Sequence, residues 1–214
     1  MDPATPPHNC PLCPRLQAFR ETNRVKYPDW FNGPVPSFGP LTARILIVGL
    51  APGLQGANRT GRPFTGDWAG DLLYATLLKH RLAKGVYDER IDDSLELIDC
   101  RIANSVRCVP PQNKPEPSEI KTCRQFLKSE LETLPNIRVI LALGKIAHDS
   151  TCDTLGARKA THPFKHGVAY DIGKFKLISS YHCSRYNTNT GVLTTEMFEI
   201  VVGQAKKLAD IKRS

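Results

Sequence analysis

The chain has 214 residues, with 29 basic side chains against 21 acidic ones and a formal net charge of +8. That is the length of one domain or at most two, and the charge favours a polyanionic partner while suiting a plain basic enzyme equally well. With 41% hydrophobic and 23% charged residues, the composition excludes disorder, coiled coil and collagen as descriptions of the whole. The longest apolar stretch, around Ile45 to Leu50, falls well short of the roughly 20 residues a bilayer needs, and MDPATPPHNC has no hydrophobic signal core, so a cytoplasmic protein is expected.

Residues 1–9 are Pro-rich and are expected to be loose until Cys10. After Pro14, RLQAFRETNRVK reads as a helix that ends at Tyr27-Pro28, followed by an aromatic, proline-punctuated loop to Pro40. Arg44 to Leu50 is a continuous apolar run, the pattern of a buried parallel strand, and it opens into Ala51-Pro52-Gly53. Asp67 suits the N-cap of a helix carrying Trp68, Leu72, Leu73, Ala75, Leu77 and Leu78. Leu97 to Val106 reads as a second strand. Pro117 to Leu134 reads as a helix with Ser118 capping and Glu119 in its first turn. Ile137 to Leu143 is a third strand, with a helix from Gly144 through Ser150. A hairpin is expected over Ala169–Ser180, then a closing helix from Thr194 to about Lys212. This alternation predicts one α/β domain over 1–214, a parallel sheet covered by helices on both faces, with its ligand site beyond the carboxyl ends of the strands.

Seven cysteines make an odd number, which argues for reduced thiols and some metal ligands rather than a disulfide framework. Cys10 and Cys13 form C-x2-C, and Cys108 and Cys123 flank the fourteen-residue segment VPPQNKPEPSEIKT. Two such pairs can converge on one centre, and their spacing suits zinc or an iron-sulfur cluster equally.

Three strand ends carry unusual sequence. Residues 49–70, GLAPGLQGANRTGRPFTGDWAG, hold six glycines, which let the backbone approach a flat ligand while Phe64 offers a ring to stack on it. Neither of the usual phosphate-loop spacings is present. Asn104 ends the second strand with an amide able to donate and accept toward a base edge. In SYHCSRYNTNTG, residues 180–191, His182 follows a strand, with Ser184, Arg185 and Tyr186 on the loop after it.

These motifs resemble the uracil-DNA glycosylase superfamily, in particular its family 5, from Cys10 to the final helix. The resemblance implies a three-layer α/β/α sandwich around a four-stranded parallel sheet. It implies a [4Fe-4S] cluster on Cys10, Cys13, Cys108 and Cys123. It implies a base pocket built from Ala51, Gly53, Phe64 and Asn104, with Asp67 and His182 as the catalytic pair and Ser184, Arg185 and Tyr186 as a DNA-contacting wedge. The related family 4 pattern has an acidic residue directly after the first glycine. Leu50 stands there in this chain, which leaves Asp67 as the carboxylate of the loop. The activity implied is removal of uracil, and of other deaminated bases such as hypoxanthine, from DNA by a monomer acting in base excision repair. Two rival readings are a non-catalytic metal-cysteine module that binds nucleic acid and a hydrolase of free nucleosides or nucleotides.

Overall fold

Every residue of the runs Ile45–Gly49, Cys100–Asn104 and Val139–Leu143 is buried. Successive strand side chains point to opposite faces, so such runs belong in a sheet covered on both sides. In the computed structural model, which describes residues 2–210, the chain opens with α1 (Pro14–Lys26), β1 (Ile45–Gly49), α2 (Ala57–Thr60) and α3 (Trp68–Lys79). It continues with β2 (Ala83–Lys84), β3 (Glu96–Leu97), β4 (Cys100–Asn104), α4 (Pro117–Thr133), β5 (Val139–Leu143) and α5 (Lys145–Thr154). The hairpin β6 (Ala169–Ile172) and β7 (Phe175–Ser180) follows, then α6 (Arg185–Asn189) and α7 (Thr195–Asp210). Lys212, the expected end of the last helix, lies outside the described residues.

The main sheet has the order β4-β1-β5-β7-β6. β4, β1, β5 and β7 run parallel, as expected. The sheet is nonetheless five-stranded, because β6 adds an antiparallel edge. The cause is local: Gly173 adopts a φ of +58° between Ile172 and Phe175 and turns the chain straight back on itself. Ile45, Ile47 and Leu141 pack toward Leu73 and Leu77 of α3 and Phe198 and Val202 of α7. Their neighbours Leu46, Val48 and Ile140 pack toward Leu127 and Leu131 of α4 and Ala147 of α5. Each large aliphatic side chain buried in this way contributes about 1.5–3 kcal/mol. From β1 the chain passes through α3 to β4, then through α4 back to β5 on the other side of β1. The strand order therefore reverses at β1, and a crevice opens beyond its carboxyl end.

Several local expectations are corrected. The second strand is shorter than Leu97–Val106, because Glu96 and Leu97 pair with β2 in a separate two-stranded ribbon. Ser118 lies inside α4 and does not cap it. Glu116 is the N-cap, and its backbone N–H donates to the Glu119 carboxylate at 2.7 Å. Residues 145–154 form one helix, four residues past Ser150. The segment after His182 is helical from Arg185, with the Ser184 hydroxyl accepting from Asn187 N–H at 3.4 Å. Residues 2–9, expected to be loose, carry contacts of their own: Ala4 N–H donates to Ser129 at 2.7 Å, and Arg24 donates to the His8 ring at 2.8 Å. Among the described residues no helix is long and apolar enough to cross a membrane.

Candidate active site

The loops that leave β1, β4 and β7 enclose a cavity of about 370 Å³ at the strand carboxyl ends, within the size range of small-molecule sites. Ala51, Gly53, Phe64, Asp67, Asn104, His182, Ser184 and Arg185 line it. Of the pocket, catalytic and wedge residues read from the sequence, Tyr186 alone stays out of the wall; it points from α6 and is 74% exposed. Phe64 has a φ of +55°, a costly conformation for a bulky residue, and is buried with its ring against Gly49. A Cβ on Gly49 would lie 2.7 Å from the Phe64 ring and would collide with Asn104 Oδ1, so glycine is required where ring and amide meet. Asn104 is buried, and its Oδ1 has no hydrogen-bond partner. A buried acceptor left open in this way is uncommon.

Asp67 caps α3, its Oδ1 accepting from Gly70 N–H at 3.2 Å. Its Oδ2 faces the loop after β1, where a Cβ on Gly56 would stand 2.5 Å away. The glycines therefore admit the carboxylate to the cavity wall. Opposite, the His182 ring lies near parallel to Phe64, with centroids 6.3 Å apart and planes at 29°.

A second constellation sits beyond the end of β4, between α1 and α4. Cys10, Cys13, Cys108 and Cys123 line one small buried cavity together with Leu16, Arg20 and Phe126. Arg20 Nη1 lies 3.6 Å from Cys108 Sγ, and Arg107 N–H donates to Cys123 Sγ at 3.3 Å. Among the described residues no three His, Cys, Asp or Glu side chains converge as ligands of a single metal ion. The four thiols thus surround a space and do not meet at a point.

The family model described as the uracil DNA glycosylase superfamily matches residues 36–206. The chain belongs to the uracil-DNA glycosylase superfamily. Within it the similarity is to the type-5 branch. The chain is 46% identical over 209 residues to the type-5 uracil-DNA glycosylase of Thermus thermophilus, covering 94% of each protein. It is 39% identical to that of Pyrobaculum aerophilum, covering 92% of this chain and 88% of the relative. A type-4 uracil-DNA glycosylase from Thermotoga maritima is 33% identical over 171 residues, covering 79% and 78%.

The electrostatics of the site follow from burial. Burial pushes the Asp67 carboxyl above its ordinary range, against the opposing pull of the Gly70 and Ala69 amides, with Glu89 adding to the rise. Burial holds His182 below the ordinary imidazole value, so near pH 7 its ring is neutral and offers one N–H.

Four features of the site escaped the sequence reading. Arg62 is buried and forms a two-pronged pair with Asp93 at 2.7 and 2.6 Å, its guanidinium 5.2–5.8 Å from the rings of Phe38, Tyr74 and Tyr87. This brace grips the loop two residues before Phe64. Its partner lies in DERIDDS, where nothing local distinguishes Asp93 from its neighbours. Tyr181 N–H donates to His166 Nδ1 at 3.1 Å, and the two rings stack at 4.9 Å, which fixes the backbone beside His182. Asn113, in the left-handed region at φ +57°, reaches the cavity from the segment between the second cysteine pair. Trp68, read as a helix-core position, stands half exposed in the cavity wall.

Proposed function

We propose that this chain removes uracil from DNA by hydrolysing the N-glycosidic bond and leaves an abasic site. The observation that carries the reading is the convergence of Phe64, Asn104, His182 and Asp67 on one cavity, with Asn104 Oδ1 unpartnered. A base in a duplex is out of reach, so the nucleotide must rotate out of the stack, at a cost of a few kcal/mol. Phe64 stacks on the extruded ring. The Asn104 amide reads its edge, with the carbonyl accepting the imide N–H and the amino group donating to the neighbouring carbonyl. Hypoxanthine offers the same pairing of ring N–H and carbonyl, which supports a base range wider than uracil.

Cleavage builds positive charge on the sugar and negative charge on the departing base. Neutral His182 donates to the base as its charge grows. Asp67 offsets the sugar cation and orients the attacking water, a role that accounts for a factor of about 10² to 10⁴ in general-base catalysis. Ser184, Arg185 and the exposed Tyr186 form the surface that meets the DNA backbone and fills the gap left by the nucleotide.

Cys10, Cys13, Cys108 and Cys123 are proposed to hold a [4Fe-4S] cluster. Four thiols around one small cavity, with the Arg20 guanidinium 3.6 Å from Cys108 Sγ, support an anionic group held by all four. When bound, the cluster ties the N-terminal segment, the end of β4 and α4 together as a structural clamp. The reading includes a monomer in a reducing cytoplasm, in keeping with seven free cysteines.

A duplex with a single uracil tests the activity. The expected result is strand breakage at that position in hot alkali after incubation. DNA bound but left intact points to a binding module, and release of uracil from the free nucleoside alone points to a nucleoside hydrolase.

A further inference from the structure

Trp68 is the one tryptophan among the exposed large apolar side chains of the described residues, 48% exposed in the wall of the cavity directly after Asp67. An indole left half in water forgoes much of the stabilisation its burial would give. Its plane is nevertheless fixed. Nε1–H of Trp68, in the first turn of α3, donates to Thr188 Oγ1 of α6 at 3.0 Å. One face carries the Arg185 guanidinium, 5.6 Å from the ring centroid. A flat cation parked there shows that this face accepts a planar partner. Phe64 cannot serve the same partner, since it is buried inside the cavity while Trp68 stands at its rim.

We propose that Trp68 is a second stacking station, which takes the base of the nucleotide flanking the one drawn into the cavity. Arg185 leaves the ring as that base arrives and pairs with the adjacent phosphate. The station deepens the glycosylase reading and rests on it for the presence of DNA. Stacking on an aromatic side chain tolerates any sequence, because every base has a π-face. The ring thus grips the strand without narrowing the choice of neighbours. Stacking also releases no counterions, whereas a phosphate contact does. The two residues therefore leave different signatures in salt.

The test is binding of a duplex with one abasic site, compared at about 50 and 200 mM salt. Trp68→Ala is expected to bind about tenfold more weakly, by the same factor at both salt concentrations, with an unchanged melting temperature. Arg185→Ala is expected to lower the salt slope by about 1. Trp68→Phe and Thr188→Val keep a ring at the rim and should each lose less than about threefold. A Thr188→Val loss as large as that of Trp68→Ala would make the tie to α6 the role of the indole and overturn the station.

The chain has two tryptophans, so in a Trp30→Phe background Trp68 reports alone. Its fluorescence should be quenched as this duplex saturates, and unchanged emission with binding intact would remove the station by itself. Failure of the protein to bind either abasic or uracil-containing duplex would remove the glycosylase reading and the station together.

Discussion

The cavity and the cysteine cage both begin at the end of β4, Asn104 facing one and Cys108 the other, yet they leave opposite kinds of group unpaired. At the cavity the open group is the neutral amide oxygen of Asn104. At the cage it is cationic: Nε of the fully buried Arg20 lacks a hydrogen-bond partner, while its Nη1 lies 3.6 Å from Cys108 Sγ. A neutral buried acceptor is tolerable between visits of a ligand, at about 1–3 kcal/mol. A buried cation needs a standing counter-charge, and the Glu21 carboxylate beside Arg20 is 4.0 Å away and half exposed. The difference supports the two proposed roles, a passing base in the cavity and a resident anionic group in the cage.

The cage side is broken most severely by removing a thiol. Burial pushes Cys108 up to about 11 and Cys123 up to about 12, so both are protonated unless a metal takes the protons' place. Cys108→Ser is expected to lose its iron and most of its folding stability. Iron and sulfide analysis of anaerobically purified protein, alongside thermal melting, measures both. A colourless, zinc-loaded wild type would break the comparison.

On the cavity side, Asp67→Asn is expected to lose a factor of about 10² to 10⁴ in turnover while keeping its affinity for DNA. Asn serves as an N-cap as well as Asp does, so α3 keeps its start. The native state holds this carboxyl's proton more tightly than the unfolded chain does. Stability therefore falls as pH rises from the ordinary value of 3.8 through the raised one. The variant should accordingly melt higher than wild type at neutral pH. In wild type the acid limb of kcat/KM should lie above the ordinary carboxylate range, and in Asp67→Asn that limb should vanish.

Behind the Phe64 loop stands the Arg62–Asp93 brace. Burial alone would raise the Asp93 carboxyl, but hydrogen bonds from Arg62 and from the Asp88 and Leu95 amides carry it down to about 2. Its contribution is present above the ordinary 3.8 and is lost as pH falls through about 2. Asp93→Asn leaves a buried guanidinium without its counter-charge and is expected to cost about 3 kcal/mol in denaturant unfolding. Turnover should fall with it as Phe64 loses its support.

Asn104→Ala is the mildest and the sharpest. It deletes an acceptor that has no partner in the free protein, so the melting temperature should hold, while kcat/KM on uracil drops by the equivalent of about 1–3 kcal/mol. A fall in stability of that size would mean that the amide already has a structural partner.

Much of the fold was legible because it is written in adjacent residues. The runs RILIVGL and IRVILAL announce strands buried on both faces, and Asp67 before an apolar helical pattern announces a cap. The fifth strand is legible as one arm of a hairpin, and only its pairing with β7 makes it an edge of the main sheet. The cavity residues were legible as motifs at strand ends, since a parallel sheet gathers those ends on one side. The brace, the His166 contact and the rim tryptophan were not, because nothing in the residues around Asp93, His166 or Thr188 says which distant side chain each will meet.

Taken by itself, then, the sequence determined the elements, their layering and the motifs whose side chains line the cavity, through preferences decided within a few residues of each position. Only the tertiary structure decided which distant side chains meet: Arg62 with Asp93, Tyr181 with His166, Trp68 with Thr188. The physical reason is that such contacts depend on where chain closure brings each loop, which is set by the packing of the whole sandwich and by no stretch of it alone.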